Sequence, residues 1–205
     1  MSRKEQAQLT KAKIFKTAIE LINQKGFDNV TVSEICKEAG VAKGTFYVHF
    51  ESKEDIIKEN YHADMSNYVL KNFDNFILNE YKTFAQKNPD KSIKEKIVQF
   101  LKYEFMYANH IGYDLICRVY LTNLSDSING KNHHFVNREF LPTLKELICE
   151  GIEHDTFTKY NDLDTLVLYI ESFARGIMTT WCLAKGNFDI VEIGETHIRT
   201  LIENL

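Results

Sequence analysis

Between Lys43 and Lys53 the chain gathers side chains suited to holding an anion and to reading a polar edge. Lys43 is a cation on a flexible stem that can reach a phosphate oxygen or the acceptor edge of a guanine. Gly44 has no side chain, so a partner's surface can approach the backbone closely. Thr45 offers a hydroxyl to a phosphate or base edge and a methyl to a thymine. Lys53 follows, and Thr31 and Ser33 supply two further hydroxyls upstream. This is chemistry of binding rather than of bond making. The chain contains no G-x-S-x-G, no P-loop, no H-E-x-x-H and no Gly-rich dinucleotide loop. No enzyme class and no cofactor is therefore indicated. His133-His134, with His110 and His154, raises the question of a metal, but the pair sits in a polar stretch without a ligand-spaced partner, which reads as chance. Cys36, Cys117, Cys149 and Cys182 form no C-x-x-C pair and read as reduced, mostly buried small hydrophobes.

Short helices must position these residues. Thr31-Val32-Ser33-Glu34 is a capping box that opens a helix to about Ala39. Gly40 breaks it, Val41 is expected beneath the turn, and a third short helix runs from about Lys43 to His49. Before them, Leu9 to Lys25 carries Phe15, Ala18, Ile19 and Ile22 on one face. Phe46 and Phe50 are expected in the core of this three-helix unit. Two short helices meeting at a glycine turn, with a third in support, form a helix-turn-helix.

The rest also reads as helix, with only two prolines, Pro89 and Pro142, to interrupt it. Ser52 caps a long helix, and Ser92-Ile93-Lys94-Glu95 reads as a second capping box, leading into Ile97, Phe100, Leu101, Phe105 and Ala108. Further helices are expected over about Tyr113–Leu124, Pro142–His154, Leu163–Lys185 and Ile190–Leu205. Ser125 to His133 reads as the clearest internal loop. The fold class is all-α: an N-terminal three-helix domain over residues 1–53, then a larger helical domain over residues 54–205. No run approaches the ~20 apolar residues of a membrane span. Met1 to Gln8 lacks a signal peptide's apolar segment, so a cytoplasmic location with no membrane partner is expected.

The formal net charge is −4, but it is unevenly spread. Residues 1–25 hold six basic and two acidic side chains, a net of +4, whereas residues 61–205 hold 15 basic and 20 acidic, a net of −5. The positive end is where a phosphate-facing surface belongs.

The run from Thr31 through Thr45-Phe46-Tyr47-Val48-His49-Phe50-Glu51-Ser52-Lys53-Glu54 closely resembles the signature of the TetR family of bacterial regulators. The resemblance covers about a quarter of the chain. It implies a homodimer on double-stranded operator DNA with palindromic symmetry, repression, and a C-terminal domain that binds a small effector. It also implies that Tyr47 and His49 contact phosphates. Beside it, Thr31, Ser33, Lys43, Gly44, Thr45 and Lys53 complete the expected DNA-binding set. Lys53 would reach a phosphate from the first turn of its helix.

For the dimer, the Leu163–Lys185 helix is the expected surface, through Ile170, Ala174, Ile177 and Trp181. Leu144, Leu147 and Ile148 of the Pro142–Glu153 helix are its expected partners. For the effector, the concentration of rings and polar groups at Tyr103, Met106, Tyr107, His110, Tyr113, Cys117 and Tyr120 suggests an apolar pocket with polar anchors. An alternative gives the larger domain a protein partner to dock instead of a small molecule; an exposed apolar groove would favour that version.

Overall fold

The computed structural model describes residues 2–89, 92–130, 140–154, 156–157 and 162–205, the side chains of residues 57–60 excepted. His133 and His134 lie outside them. Among the described residues there are ten α-helices: α1 (Arg3–Lys25), α2 (Val32–Ala39), α3 (Lys43–His49), α4 (Lys53–Phe76), α5 (Lys82–Lys87), α6 (Ser92–Ile111), α7 (Tyr113–Ile128), α8 (Leu141–Glu153), α9 (Leu163–Leu183) and α10 (Ile190–Glu203). The all-α expectation holds. None of the described helices is long and apolar enough to cross a membrane. α7 continues through Ser125–Ile128, so the first four residues of the expected loop are helical, with Asp126 buried.

Two compact units result. One comprises Met1–His62 with Asp114–Asn132; the other comprises Ala63–Tyr113 with His133–Leu205. This moves the boundary expected at residue 53. The first reason is that α4 is one uninterrupted helix from Lys53 to Phe76. The second is that α7 joins the first unit through side chains that no local pattern announces. The Arg118 guanidinium donates to Asp28 at 2.9 Å and lies 4.2 Å from the Phe27 ring centre, while the Phe27 amide donates to Asp114 at 3.4 Å.

The first unit is built on local signals. Ser2 caps α1 reciprocally with Glu5, which starts that helix six residues earlier than the apolar pattern does. Ile14, Ala18, Ile35, Ala39 and Phe46 are fully buried and form its core with Phe50 at 2% exposure. Gly40 sits at φ +63°, the left-handed conformation that L-residues with side chains disfavour. Its amide and that of Val41 return to carbonyls of the last α2 turn, Lys37 at 3.2 Å and Cys36 at 2.9 Å. Val41 itself is only half-buried.

In the second unit, α10 packs most extensively on α6. Gly194 makes that approach possible: a Cβ there would stand 2.5 Å from a Phe105 ring carbon. Phe73 of α4 meets Phe100 of α6 edge-on with ring centres 5.0 Å apart, and Phe100 meets Phe140 at 5.8 Å. α4 runs on through a π-helical segment, Ile77–Tyr81, directly into α5. The capping box expected at Ser92–Glu95 does not form as read. The Glu95 carboxylate is buried and taken by Gln99 at 2.8 Å and by both terminal nitrogens of Arg199 on α10. A tertiary ion pair has overridden a local signal.

The expected dimer residues also need correction. Leu144, Ile148 and Ile170 are fully buried, and Leu147, Ala174, Ile177 and Trp181 are 2–9% exposed, all within a single chain. Their faces of α8 and α9 supply this unit's own core. The apolar side chains that α9 leaves uncovered are Leu168, Tyr169, Phe173 and Leu183, on the opposite face.

Candidate nucleic-acid interface

The α2–turn–α3 surface separates side chains that hold the unit together from side chains that point away from it. Thr31 belongs to the first group. Its hydroxyl accepts from the Glu34 amide at 3.2 Å and donates to the Glu34 carboxylate at 2.9 Å, and the same carboxylate accepts from the Thr31 amide. Hydrogen bonds from Thr31, its backbone amide first, with that from Lys25, hold the Glu34 carboxyl at about 2. With its one hydroxyl hydrogen committed, Thr31 has none to give a phosphate oxygen, which can only accept. It positions α2 and is not free to contact DNA as expected.

Lys53 is a second correction. Its ammonium donates to the carbonyls of Phe27 at 2.6 Å and Val30 at 3.0 Å and sits 4.1 Å from the Phe27 ring centre. The carbonyls turn the cation inward, and Lys53 clamps the α1–α2 connection to the start of α4. The Phe27 ring thus lies close to two cations, Lys53 and Arg118.

The outward group is narrower. Ser33, Lys43 and Gly44 are exposed, while Thr45 and His49 are half-buried. Tyr47 is 57% exposed and stacks edge-on against the buried Phe46, with ring centres 5.4 Å apart. Phe46 anchors α3 and presents the phenol outward. Gly44 is informative in the opposite way from Gly40. It has ordinary helical φ, and a Cβ built there meets nothing within 4 Å. Nothing within the unit requires glycine, and a helix of seven residues would be stiffer with alanine. No contact within the unit accounts for the glycine.

Val48 is 80% exposed and joins this outward group, although the sequence reading assigned it no role. Its place between Tyr47 and His49, with the anchors at Phe46 and Phe50, was the available signal. Cations of α1 also reach this surface: Lys11 lies 5.3 Å from the Phe50 ring centre, and the Lys13 ammonium is 3.8 Å from where a Gly40 Cβ would stand.

The candidate effector residues divide between the units. Cys117 and Tyr120 fall in the first; Tyr103, Met106, Tyr107, His110 and Tyr113 fall in the second. In the second, Tyr107 is buried, donates to Asp64 at 2.8 Å and packs against Tyr68, which also stacks on His110. Burial, and then the charge of Glu80, push the Tyr103 phenol above its ordinary value. Tyr113 packs against Trp181 and over Gly186. Tyr107, His110 and Tyr113 thus pack against neighbouring rings of the same unit. The large cleft of this unit, about 1000 Å³, is lined by none of the seven. Among the described residues, no three His, Cys, Asp or Glu side chains are grouped to hold a metal ion.

Comparison with known proteins supports the arrangement. The family described as "Bacterial regulatory proteins, tetR family" matches residues 14–59. The fatty acid metabolism regulator protein of Bacillus subtilis is 23% identical over 199 residues, covering 94% of this chain and 93% of that protein. The biofilm operon icaADBC negative transcriptional regulator IcaR of Staphylococcus epidermidis is 25% identical over 202 residues, covering 95% of this chain and 96% of that protein. Among solved structures, the regulator FadR from Bacillus subtilis in complex with stearoyl-CoA shares the fold, with a TM-score of 0.67 at 22% identity over 95% of this chain and 98% of that one. The matched segment contains the Thr45–Glu54 signature, so residues 14–59 are similar to the TetR family of bacterial regulatory proteins, and the chain shares the all-helical fold of FadR over nearly its whole length.

Proposed function

We propose that this protein is a cytoplasmic, non-enzymatic repressor that binds a palindromic operator as a homodimer and is released by a small-molecule effector. The observation that carries the DNA contact is Gly44, a glycine with open space around it at the start of a helix whose Tyr47 and Val48 point outward. Laid in the major groove, α3 would bring Lys43, Gly44 and Thr45 to base edges and phosphates, with Tyr47 and His49 on the flanking backbone. Ser33 would reach a phosphate from α2. Thr31 and Lys53 hold the reading helices in place.

One such helix reads only a few base pairs, so a second copy is needed for specificity. The exposed face of α9 supplies the surface, with Leu168, Tyr169, Phe173 and Leu183 around Gly176, where a Cβ would meet nothing within 4 Å. Large apolar side chains exposed on one helix face, Leu168, Phe173 and Leu183 among them, favour association with the same face of a second copy. The effector reading draws on relatives of the same fold solved with stearoyl-CoA and with lauroyl-CoA.

The test is footprinting on the DNA upstream of the gene itself, searched for an inverted repeat. The expected result is protection of two half-sites about one helical turn apart, with affinity that falls steeply with salt. Phe173→Glu should yield a monomer by light scattering that protects neither half-site. A monomeric wild-type protein, or protection indifferent to sequence, would refute the reading.

A further inference from the structure

Helix α1 overhangs its own core. Its buried side chains begin at Ile14, whereas every residue from Ser2 to Leu9 is exposed. Its start is nevertheless closed by a reciprocal cap: the Ser2 hydroxyl accepts from the Glu5 amide at 3.2 Å, and the Glu5 carboxylate accepts from the Ser2 amide at 2.7 Å. The cap takes up Glu5, which is the one acid between Arg3 and Lys13.

A helix face recurs at intervals of about four, seven and eleven residues. Carried back from Ile14 and Phe15 at those intervals, the face that packs the core meets Thr10 and Lys11, then Ala7 and Gln8, then Arg3 and Lys4. The stripe that is apolar from Ile14 to Ile22 therefore turns cationic beyond the edge of the core. Arg3, Lys4 and Lys11 lie on it with no acid and no large apolar side chain, while Glu5 and Leu9 fall on the other side of the helix. Among the described residues, Arg3 and Lys4 enter no ion pair. A face of this kind offers nothing to an apolar partner and repels a copy of itself; what it complements is a row of anions.

The row is continuous with the reading surface. Lys11 lies 5.3 Å from the ring centre of Phe50, the residue that ends α3, and the Lys13 ammonium is 3.8 Å from where a Cβ of Gly40 would stand, in the α2–α3 turn. At about 1.5 Å rise per residue, Arg3 and Lys4 stand roughly 10–12 Å further along the α1 axis than Lys11. We propose that this cationic overhang, Arg3 and Lys4 with Lys11 at its base, is a second DNA contact that holds phosphates of the duplex outside the base pairs read by α3. The proposal rests on the reading of α3 as the recognition helix and adds to it a sequence-independent clamp at each half-site.

The experiment measures binding of the full-length protein to the inverted repeat located by footprinting, by fluorescence anisotropy over a salt series. One duplex extends well beyond the repeat, and a second is trimmed to the two half-sites. Arg3→Gln/Lys4→Gln removes both charges at exposed positions and keeps good helix formers there, so the melting temperature should stay that of the wild type. On the long duplex the double variant should bind about tenfold or more weakly. Its slope of log K against log salt should be shallower by about 0.9 for each phosphate given up, up to about four phosphates in a dimer. The ratio of operator to scrambled-sequence affinity should not change, because phosphates carry no sequence. On the trimmed duplex the wild type should fall to the level of the variant, and Arg3→Lys/Lys4→Arg should behave as the wild type on both. A double variant with wild-type affinity and slope, or one weakened equally on both duplexes, overturns the proposal and leaves α3 as the recognition helix. A wild type that binds no inverted repeat overturns that reading, and the clamp with it.

Discussion

The two units treat their polar side chains in opposite ways. In the second, charge is turned on itself: Arg199 joins Glu95 and Glu195, and Glu195 joins Lys102. On the reading surface of the first, Lys43 and Gly44 are exposed, and Tyr47, braced by Phe46 along one edge, is still 57% exposed. A folded protein gains from satisfying its buried polar groups and gains nothing from an exposed phenol or a helical glycine with open space around it. The difference separates residues that serve the fold from residues kept for a partner. It can be broken by substituting one residue of each kind and asking whether stability or binding moves.

The largest expected change in stability is at the paired side. Arg199→Ala leaves Glu95, with a 7% exposed side chain, facing Glu195 without its cation. The cost should be about 2–3 kcal/mol, less than for a fully buried pair because the guanidinium is itself 35% exposed. Denaturant unfolding measures it. The pH dependence carries a sign. Because the folded carboxyl lies below its unfolded value, the pair's contribution is complete above the unfolded pKa of about 4.3 and is lost as pH falls through the folded value. The acid limb of the stability curve should therefore flatten in the variant, while operator affinity at neutral pH stays put. A parallel loss of affinity would mean that the units are not separable in this way.

How much of this could be read in the sequence follows the same division. The helices of the head are set by neighbours in the chain: Thr31 with Glu34 and Gly40 at its turn lie within ten residues, and α2 and α3 fall where those residues place them. The Phe46 and Phe50 anchors followed from their apolar character in a short helix, and an outward Tyr47 from the family resemblance alone. What the sequence hid depends on distant partners. Lys53 is turned inward by carbonyls of Phe27 and Val30, more than 20 residues away. Glu95 is drawn from a local cap by Arg199, 104 residues on. Periodicity found the apolar residues of α8 and α9 but not which partner covers them, so the chain's own core was taken for the surface of a dimer.

Next in size is Tyr47→Ala. A phosphate or base contact is worth roughly tenfold in affinity, and a dimer loses two, so operator binding should fall about 100-fold by fluorescence anisotropy. The phenol is 57% exposed, so the melting temperature and the dimer should be unchanged. Unchanged affinity would remove α3 from the interface. Lys53→Ala should behave in the reverse manner. Losing two charge-assisted hydrogen bonds should lower the head's stability by about 1–2 kcal/mol. The slope of log K against log salt should not move, whereas Lys43→Ala should make it shallower by about 0.9 for each phosphate released. A Lys53 variant with normal stability and a shallower slope would restore that lysine to the DNA.

The smallest change sharpens the comparison most, because its two readouts should move in opposite directions. Gly44 lies inside α3, is exposed, and has nothing within 4 Å of where a Cβ would stand. Gly44→Ala adds helix propensity and no clash, so the head should gain about 0.5–1 kcal/mol in unfolding free energy. The added methyl would occupy the space through which the backbone meets the duplex, so operator affinity should drop although the protein is more stable. Gly40→Ala is the control. At φ +63° the same substitution strains the turn and should lower stability by about 1 kcal/mol, with binding lost only as the head unfolds. Two glycines four residues apart, given the same methyl, should thus shift stability with opposite signs, and only Gly44 should report on DNA. If Gly44→Ala binds the operator as well as the wild type, the open space above that residue is not where the duplex sits, and the reading of α3 as the recognition helix loses its main physical support.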